Sequence, residues 1–158
     1  TYCMTGWRLG YAVLPPALVE PFVRLTANSV SCTNTFVQHA AVAAMRGSQS
    51  CVHEMVEQFR QRRDVLVDRL NRMPGVSCHT PAGAFYAFAD VSGVGLPDDE
   101  LARILLEDAG VAALAGSAFS ECGRGYLRFA YTTSMENIVK AMDRMERVVA
   151  SLPTVRAA

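Results

Sequence analysis

The sequence has one lysine, Lys140, and one tryptophan, Trp7, among 158 residues, and no excess of either charge, with 15 basic and 15 acidic side chains. A balanced chain leaves no electrostatic footprint for nucleic acid, and its arginines are scattered among acids rather than gathered in a run. Nucleic acid is therefore not an expected partner. Long apolar runs are also missing: Leu9 to Leu18, the longest uncharged apolar stretch, is broken by Pro15 and Pro16, well short of the roughly 20 residues of a spanning helix. No membrane segment is expected. Thr1-Tyr2-Cys3-Met4-Thr5 has neither a basic n-region nor an apolar h-region, so no secretory signal is read, and without a start methionine the sequence reads as if it began mid-domain. The cysteines (Cys3, Cys32, Cys51, Cys78, Cys122) are odd in number and include no C-x-x-C pair, which argues against a disulfide framework and a zinc cage. Buried unpaired thiols in a reducing, cytoplasmic setting are expected.

What is present is a chain 51% hydrophobic and 19% charged, the composition of one globular domain or of part of a larger one. Leu9 to Leu14 reads as a buried strand, and Leu18, Val19, Phe22 and Leu25 then recur at helical spacing, with Pro21 expected to kink or shorten that helix. Thr35-x-x-Gln38 has capping-box spacing ahead of the stripe Val37, Ala40, Ala41, Ala44, with Gly47 at the expected end. A longer helix carries Val52, Met55, Val56, Phe59, Leu66, Leu70 and Met73 and stops at Pro74-Gly75. A seam between two packing units is placed along it.

Beyond Gly75 short strands are expected at Val76 to Cys78, Ala84 to Val91, Val111 to Ala115 and Tyr126 to Tyr131. Between them a helix opens on Asp98, Asp99 and Glu100 and closes at Gly110. The last helix follows Thr133-x-x-Glu136 and carries Ile138, Met142, Met145, Val149 and Leu152.

Few residues suggest chemistry by themselves. Gly116-Ser117-Ala118-Phe119 lacks the second glycine of a nucleophile elbow, Gly123-Arg124-Gly125 suits a hairpin turn better than a phosphate cradle, and His39 and His53 sit inside helices. Cys78 and His79 are adjacent and would point to opposite faces of a strand. Arg8 and Arg128 stand out. Each lies in or beside an apolar strand, where a permanently charged fork of five donors needs an anion. Arg128 alternates with Leu127 and Phe129 and therefore shares a face with Tyr126 and Ala130; a planar carboxylate is its natural ligand, and an internal Asp or Glu is the alternative.

Four segments resemble, in order, landmarks of the class I/II aminotransferases, which are fold-type I enzymes using pyridoxal 5'-phosphate. They are Met4-Thr5-Gly6-Trp7-Arg8-Leu9-Gly10-Tyr11, Pro81-Ala82-Gly83-Ala84-Phe85-Tyr86-Ala87-Phe88-Ala89-Asp90, Gly116-Ser117-Ala118-Phe119 and Tyr126-Leu127-Arg128-Phe129-Ala130-Tyr131-Thr132-Thr133-Ser134. The resemblance covers essentially the whole chain. It implies an α/β chain forming the C-terminal part of that fold: residues 1–70 as the end of the large, mostly parallel-sheet domain with the interdomain helix, and 71–158 as a small α+β domain. It implies amino-group transfer between an amino acid and a 2-oxo acid, with Arg8 binding the cofactor phosphate, Arg128 the substrate α-carboxylate, and a homodimer when complete.

The departures are as informative. The family's Schiff-base lysine lies four residues before the motif methionine, which from Met4 is the position just before Thr1. Lys140 is expected at the surface of the final helix, and arginine cannot replace a deprotonated amine. The family's other groups around the cofactor ring also lie upstream. The chain alone is accordingly expected to be inactive and, with sheet partners missing, to self-associate. The alternatives are another fold-type I reaction, a lyase or synthase, and a non-catalytic aminotransferase-like module.

Overall fold

The computed structural model describes residues 1–152. They form two compact units that divide between Met55 and Val56.

In the first unit a short 3-10 turn (Thr5–Trp7) is followed by an extended segment and then helices α1 (Pro16–Ser29) and α2 (Thr35–Arg46); the long helix α3 (Ser50–Arg72) begins here and continues into the second unit. The expected strand at Leu9 to Leu14 does not form. A strand exists only through hydrogen bonds to a neighbour, and among the described residues no segment pairs with it. Pro21 does not break α1, which runs unbroken from Pro16 although the ring deletes one donor. The cap of α2 is Asn34 rather than Thr35: its Oδ1 accepts from the Phe36 N–H at 3.2 Å, while Gln38 reaches back to the Thr33 carbonyl. Tyr2 donates to Gln49, which in turn donates to the carbonyls of Ala44 and Gly47. Little is buried in this unit. Val37 is buried, whereas Leu18, Val19, Phe22, Val23 and Leu25 of α1 are exposed.

The second unit is a two-layer α+β arrangement. Its four short strands, β1 (Ser77–Cys78), β2 (Tyr86–Asp90), β3 (Leu114–Ala115) and β4 (Tyr126–Ala130), lie in the order β1-β2-β4-β3, every pair antiparallel. The central pair aligns Tyr86 with Ala130 and Asp90 with Tyr126. Period-2 alternation then sends Ala87, Ala89, Leu127 and Phe129 to one face. There they meet Leu66, Val67 and Leu70 of α3, Leu101 and Leu105 of α4 (Asp98–Ala109), and Ile138, Met142, Met145 and Val149 of α5 (Met135–Ser151) in one core. The cap of α5 is Ser134, one residue after the expected Thr133, and its hydroxyl accepts from the Asn137 N–H. Gly110 closes α4 in the left-handed conformation, as its position suggested.

Two features brace this unit. Arg69 of α3, mostly shielded from solvent, donates to Glu146 and to Asp143 of α5, each at 2.6 Å; both partners hold its guanidinium far above any accessible titration range. Gly75, at φ +77°, lies so close to Gly93 that a Cβ on Gly75 would stand 2.4 Å from the Gly93 carbonyl carbon. No described helix is long and apolar enough to cross a membrane.

The thiols differ from expectation. Only Cys78 is buried; Cys3, Cys32 and Cys51 sit in the thinly packed first unit and Cys122 on a surface loop, all exposed. Burial pushes the Cys78 thiol up, further lowering its reactivity. Titration with a disulfide reagent should therefore modify the four exposed thiols in the native chain, and Cys78 only after denaturant. Arg69→Met should lower stability to urea by about 1–2 kcal/mol, because it leaves two carboxylates without their shared partner.

Candidate active site

The antiparallel pairing of β2 with β4 leaves one face of the sheet uncovered by helices, and it carries Tyr86, Phe88, Tyr126 and Arg128. Phe88 and Tyr126 stack with centroids 4.9 Å apart and planes 7° from parallel. Arg128, half-buried, is flanked by two rings: its guanidinium carbon lies 4.5 Å from the Tyr86 centroid and 4.7 Å from that of Phe119. Each contact draws the cation to a ring face. Neither ring neutralises it, and among the described residues no carboxylate forms an ion pair with Arg128. The internal Asp or Glu allowed by the sequence pattern is therefore not its partner. A flat cation held between ring faces keeps its donor edge free for a planar anion.

Two loops frame this arginine. The first carries Phe85, leads into Tyr86 at the start of β2, and contains Ala84 in the left-handed region at φ +58°, which costs a non-glycine residue of order 1 kcal/mol. Buried Tyr131 holds it there: its hydroxyl donates to the Ala84 carbonyl at 3.0 Å and its N–H to the Phe85 carbonyl at 3.1 Å. Arg63 adds a bond to the Pro81 carbonyl.

The second loop joins β3 to β4 and carries Phe119. At its neck Gly116 and Gly123 meet backbone to backbone, and a Cβ on Gly116 would lie 2.0 Å from the Gly123 oxygen. Asp98, at the start of α4, closes the neck: Oδ2 accepts from the Ser117 N–H at 2.8 Å and Oδ1 from the Gly125 N–H at 3.3 Å. Asp98 is 5% exposed and is the buried charged side chain of the described core. Burial alone would raise its carboxyl, but the Ser117 and Gly125 donors outweigh that and hold it below the usual value. A depressed carboxyl contributes stability above the ordinary carboxylate range and loses it as pH falls through the folded-state value. The neck is therefore fastened throughout the neutral range.

Arg8 belongs to the other unit. It ends the 3-10 turn in the left-handed region (φ +56°), and its Nη1 donates to the Thr5 carbonyl at 3.2 Å. It is exposed and, like Arg128, forms no ion pair among the described residues. Trp7 beside it packs edge-on to Phe36 with centroids 6.3 Å apart. Lys140 lies exposed on α5. Gly123-Arg124-Gly125 proves to be part of the β3–β4 hairpin loop, and Ser117 contributes its backbone N–H rather than a nucleophile.

Asp98 was legible only as a first-turn acid of a helix. Its partners are backbone amides 19 and 27 residues away, and an amide carries no side-chain signature. The rings flanking Arg128 lay inside recognisable motifs, but only the fold shows that they face it.

The open face of this antiparallel α+β layer thus presents an arginine without an ion-pair partner among the described residues. The sequence profile of "Aminotransferase class I and II" matches residues 1–145, and the chain belongs to that family. It is 39% identical over 151 residues to an aspartate aminotransferase of Pyrococcus horikoshii, covering 94% of this chain and 39% of the relative. It is 40% identical to aromatic-amino-acid aminotransferase 2 of Thermococcus litoralis over the same shares. Among solved structures, the aspartate aminotransferase of Rhizobium meliloti matches at a TM-score of 0.90 and 35% identity, over 96% of this chain and 40% of that one. The Thermus thermophilus aspartate aminotransferase with maleate matches at 0.84 and 36%, over 92% and 38%. The chain thus spans about two-fifths of the length of these relatives.

Tyr131→Phe should lower stability by about 1 kcal/mol through the lost hydroxyl bond. Amide exchange should rise more over residues 82–86 than in α5, whose core amides reflect only the global loss.

Proposed function

We propose that this chain supplies the substrate-carboxylate end of a pyridoxal 5'-phosphate-dependent aminotransferase, which passes an amino group between an amino acid and a 2-oxo acid. The observation that carries the reading is Arg128: a guanidinium held between Tyr86 and Phe119 with no ion-pair partner among the described residues, in a chain of the class I/II aminotransferase family. Arg128 would take the α-carboxylate in two parallel bonds, fixing the substrate so that its Cα–H bond points one way. Tyr86 and Phe119 cover the faces of the guanidinium and keep water from them, which strengthens the remaining edge contact. A dicarboxylate named with one relative, maleate in the Thermus structure, is a suitable probe.

Arg8 fits the cofactor phosphate by its chemistry: one donor of the fork is held by the Thr5 carbonyl, fixing its direction, and the others are free of carboxylates among the described residues. When bound, pyridoxal phosphate supplies the electron sink for the reaction. The amine that would attach it is not offered by this chain, since Lys140 projects from α5 into solvent. Residues 1–70 fit the end of the cofactor domain and the interdomain helix, and 71–158 the small domain. The exposed apolar stripe of α1 favours self-association of the chain and a homodimer of the complete enzyme.

The purified 158-residue chain should show no transamination, and the protein from its native locus should have an intact mass more than twice the 17.2 kDa of this chain. Activity from the isolated chain, free of host enzyme, would overturn the dependence on an upstream lysine; a native mass of 17.2 kDa would overturn the enzyme reading. The chain should bind maleate, and Arg128→Gln should weaken that binding at least about tenfold, as expected for loss of a charge-assisted bidentate contact.

A further inference from the structure

We propose that Asp98 is a positioning residue of the carboxylate site: by fastening both ends of the β3–β4 loop, it holds Phe119 against the guanidinium of Arg128. This rests on the reading of Arg128 given above and extends it to a residue that touches neither substrate nor cofactor.

Asp98 is buried yet has no cationic partner within ion-pair distance. A buried carboxylate is costly unless its lone pairs are satisfied. Here both oxygens are used, one on each flank of a single loop, at Ser117 and Gly125. Between those anchors the chain makes two 3-10 turns, Gly116–Ala118 and Glu121–Gly123, and Phe119 sits between them. The Gly116–Gly123 contact pinches the same neck. The Gly125 carbonyl adds a bond from the Val91 N–H at 2.7 Å, tying the neck to the end of β2. Phe119 itself is 53% exposed, so little besides this neck and its contact with Arg128 fixes where its ring stands. A carboxylate is the side chain that can accept from two N–H groups at once at this reach; an amide offers one acceptor and turns a donor toward the second N–H.

Arg128 would adopt many rotamers if only Tyr86 flanked it, and each ordered rotamer-rich side chain costs binding free energy. With Phe119 in place that cost is met during folding. Asp98 therefore acts on affinity through Arg128's pre-organisation.

The test is a titration of the full 158-residue chain with maleate, followed through the Arg128 side-chain Nε–H resonance. Asp98→Asn should weaken binding about five- to tenfold, the range expected when one rotamer-rich side chain must be ordered on binding, and should broaden or shift the Nε–H signal before any ligand is added. Phe119→Leu, which leaves the neck intact, should weaken binding to a similar degree. Combining the two should cost no more than the larger single effect, because both remove the same placement of one ring. Should Asp98→Asn fail to fold, Asp98→Ser takes its place: its single, shorter hydroxyl does not span the Ser117 and Gly125 N–H groups, and the same loss is expected. Wild-type-like maleate affinity in a folded Asp98→Asn chain, or an additive double variant, would overturn the positioning role and leave the reading of Arg128 standing. Failure of the wild-type chain to bind maleate, or binding insensitive to Arg128→Gln, would overturn both.

Discussion

The antiparallel register of β2 against β4 is the constraint from which the rest of the second unit follows. Five consecutive pairs, Tyr86 with Ala130 through Asp90 with Tyr126, fix which side chains face which way. A slip of one residue would turn Ala87, Ala89, Leu127 and Phe129 to solvent and drive Arg128 into the core. The small alanines on β2 let α3, α4 and α5 approach closely, and the aromatic residues on the other face give the arginine its neighbours. Core and candidate site are thus two sides of one pairing.

That pairing also explains how stability and chemistry are divided. The helices cover one face of the sheet, and their attachments, such as Arg69 on Asp143 and Glu146, lie away from Arg128. The open face is governed instead by loops whose bonds are to backbone: Tyr131 to Ala84, Asp98 to Ser117 and Gly125. A strained residue at φ +58° and a buried carboxylate without a cation are expensive features for a small domain. Both occur where they shape the surroundings of the same guanidinium.

Much of this was legible in the amino-acid sequence, for identifiable reasons. Helices α2 to α5 announce themselves because their apolar positions recur every three or four residues and their ends carry recognisable stops; the caps fell one residue away because Thr33-Asn34-Thr35 and Thr133-Ser134 each offer rival hydroxyl or amide caps. Arg128 was visible because a charge in an alternating apolar strand is conspicuous. The strand expected at Leu9 to Leu14 failed because hydrophobicity signals burial, while a strand also needs a hydrogen-bonding neighbour. The thiols of the first unit failed for a related reason: cysteine is buried where there is a core to bury it in, and Val37 is nearly all the core that unit has. Asp98 was invisible in kind, since nothing in a sequence marks which distant amides a carboxylate will meet.

The backbone contact between Gly116 and Gly123 has a mechanical meaning as well. With no side chain between them, the two turns of the neck meet so closely that a Cβ on either glycine would stand 2.0–2.2 Å from the carbonyl oxygen of the other. Helix α4 and the Phe119 loop are thus joined at one point, so that the ring 4.7 Å from the Arg128 guanidinium is tied, through two backbone amides, to the first turn of a core helix.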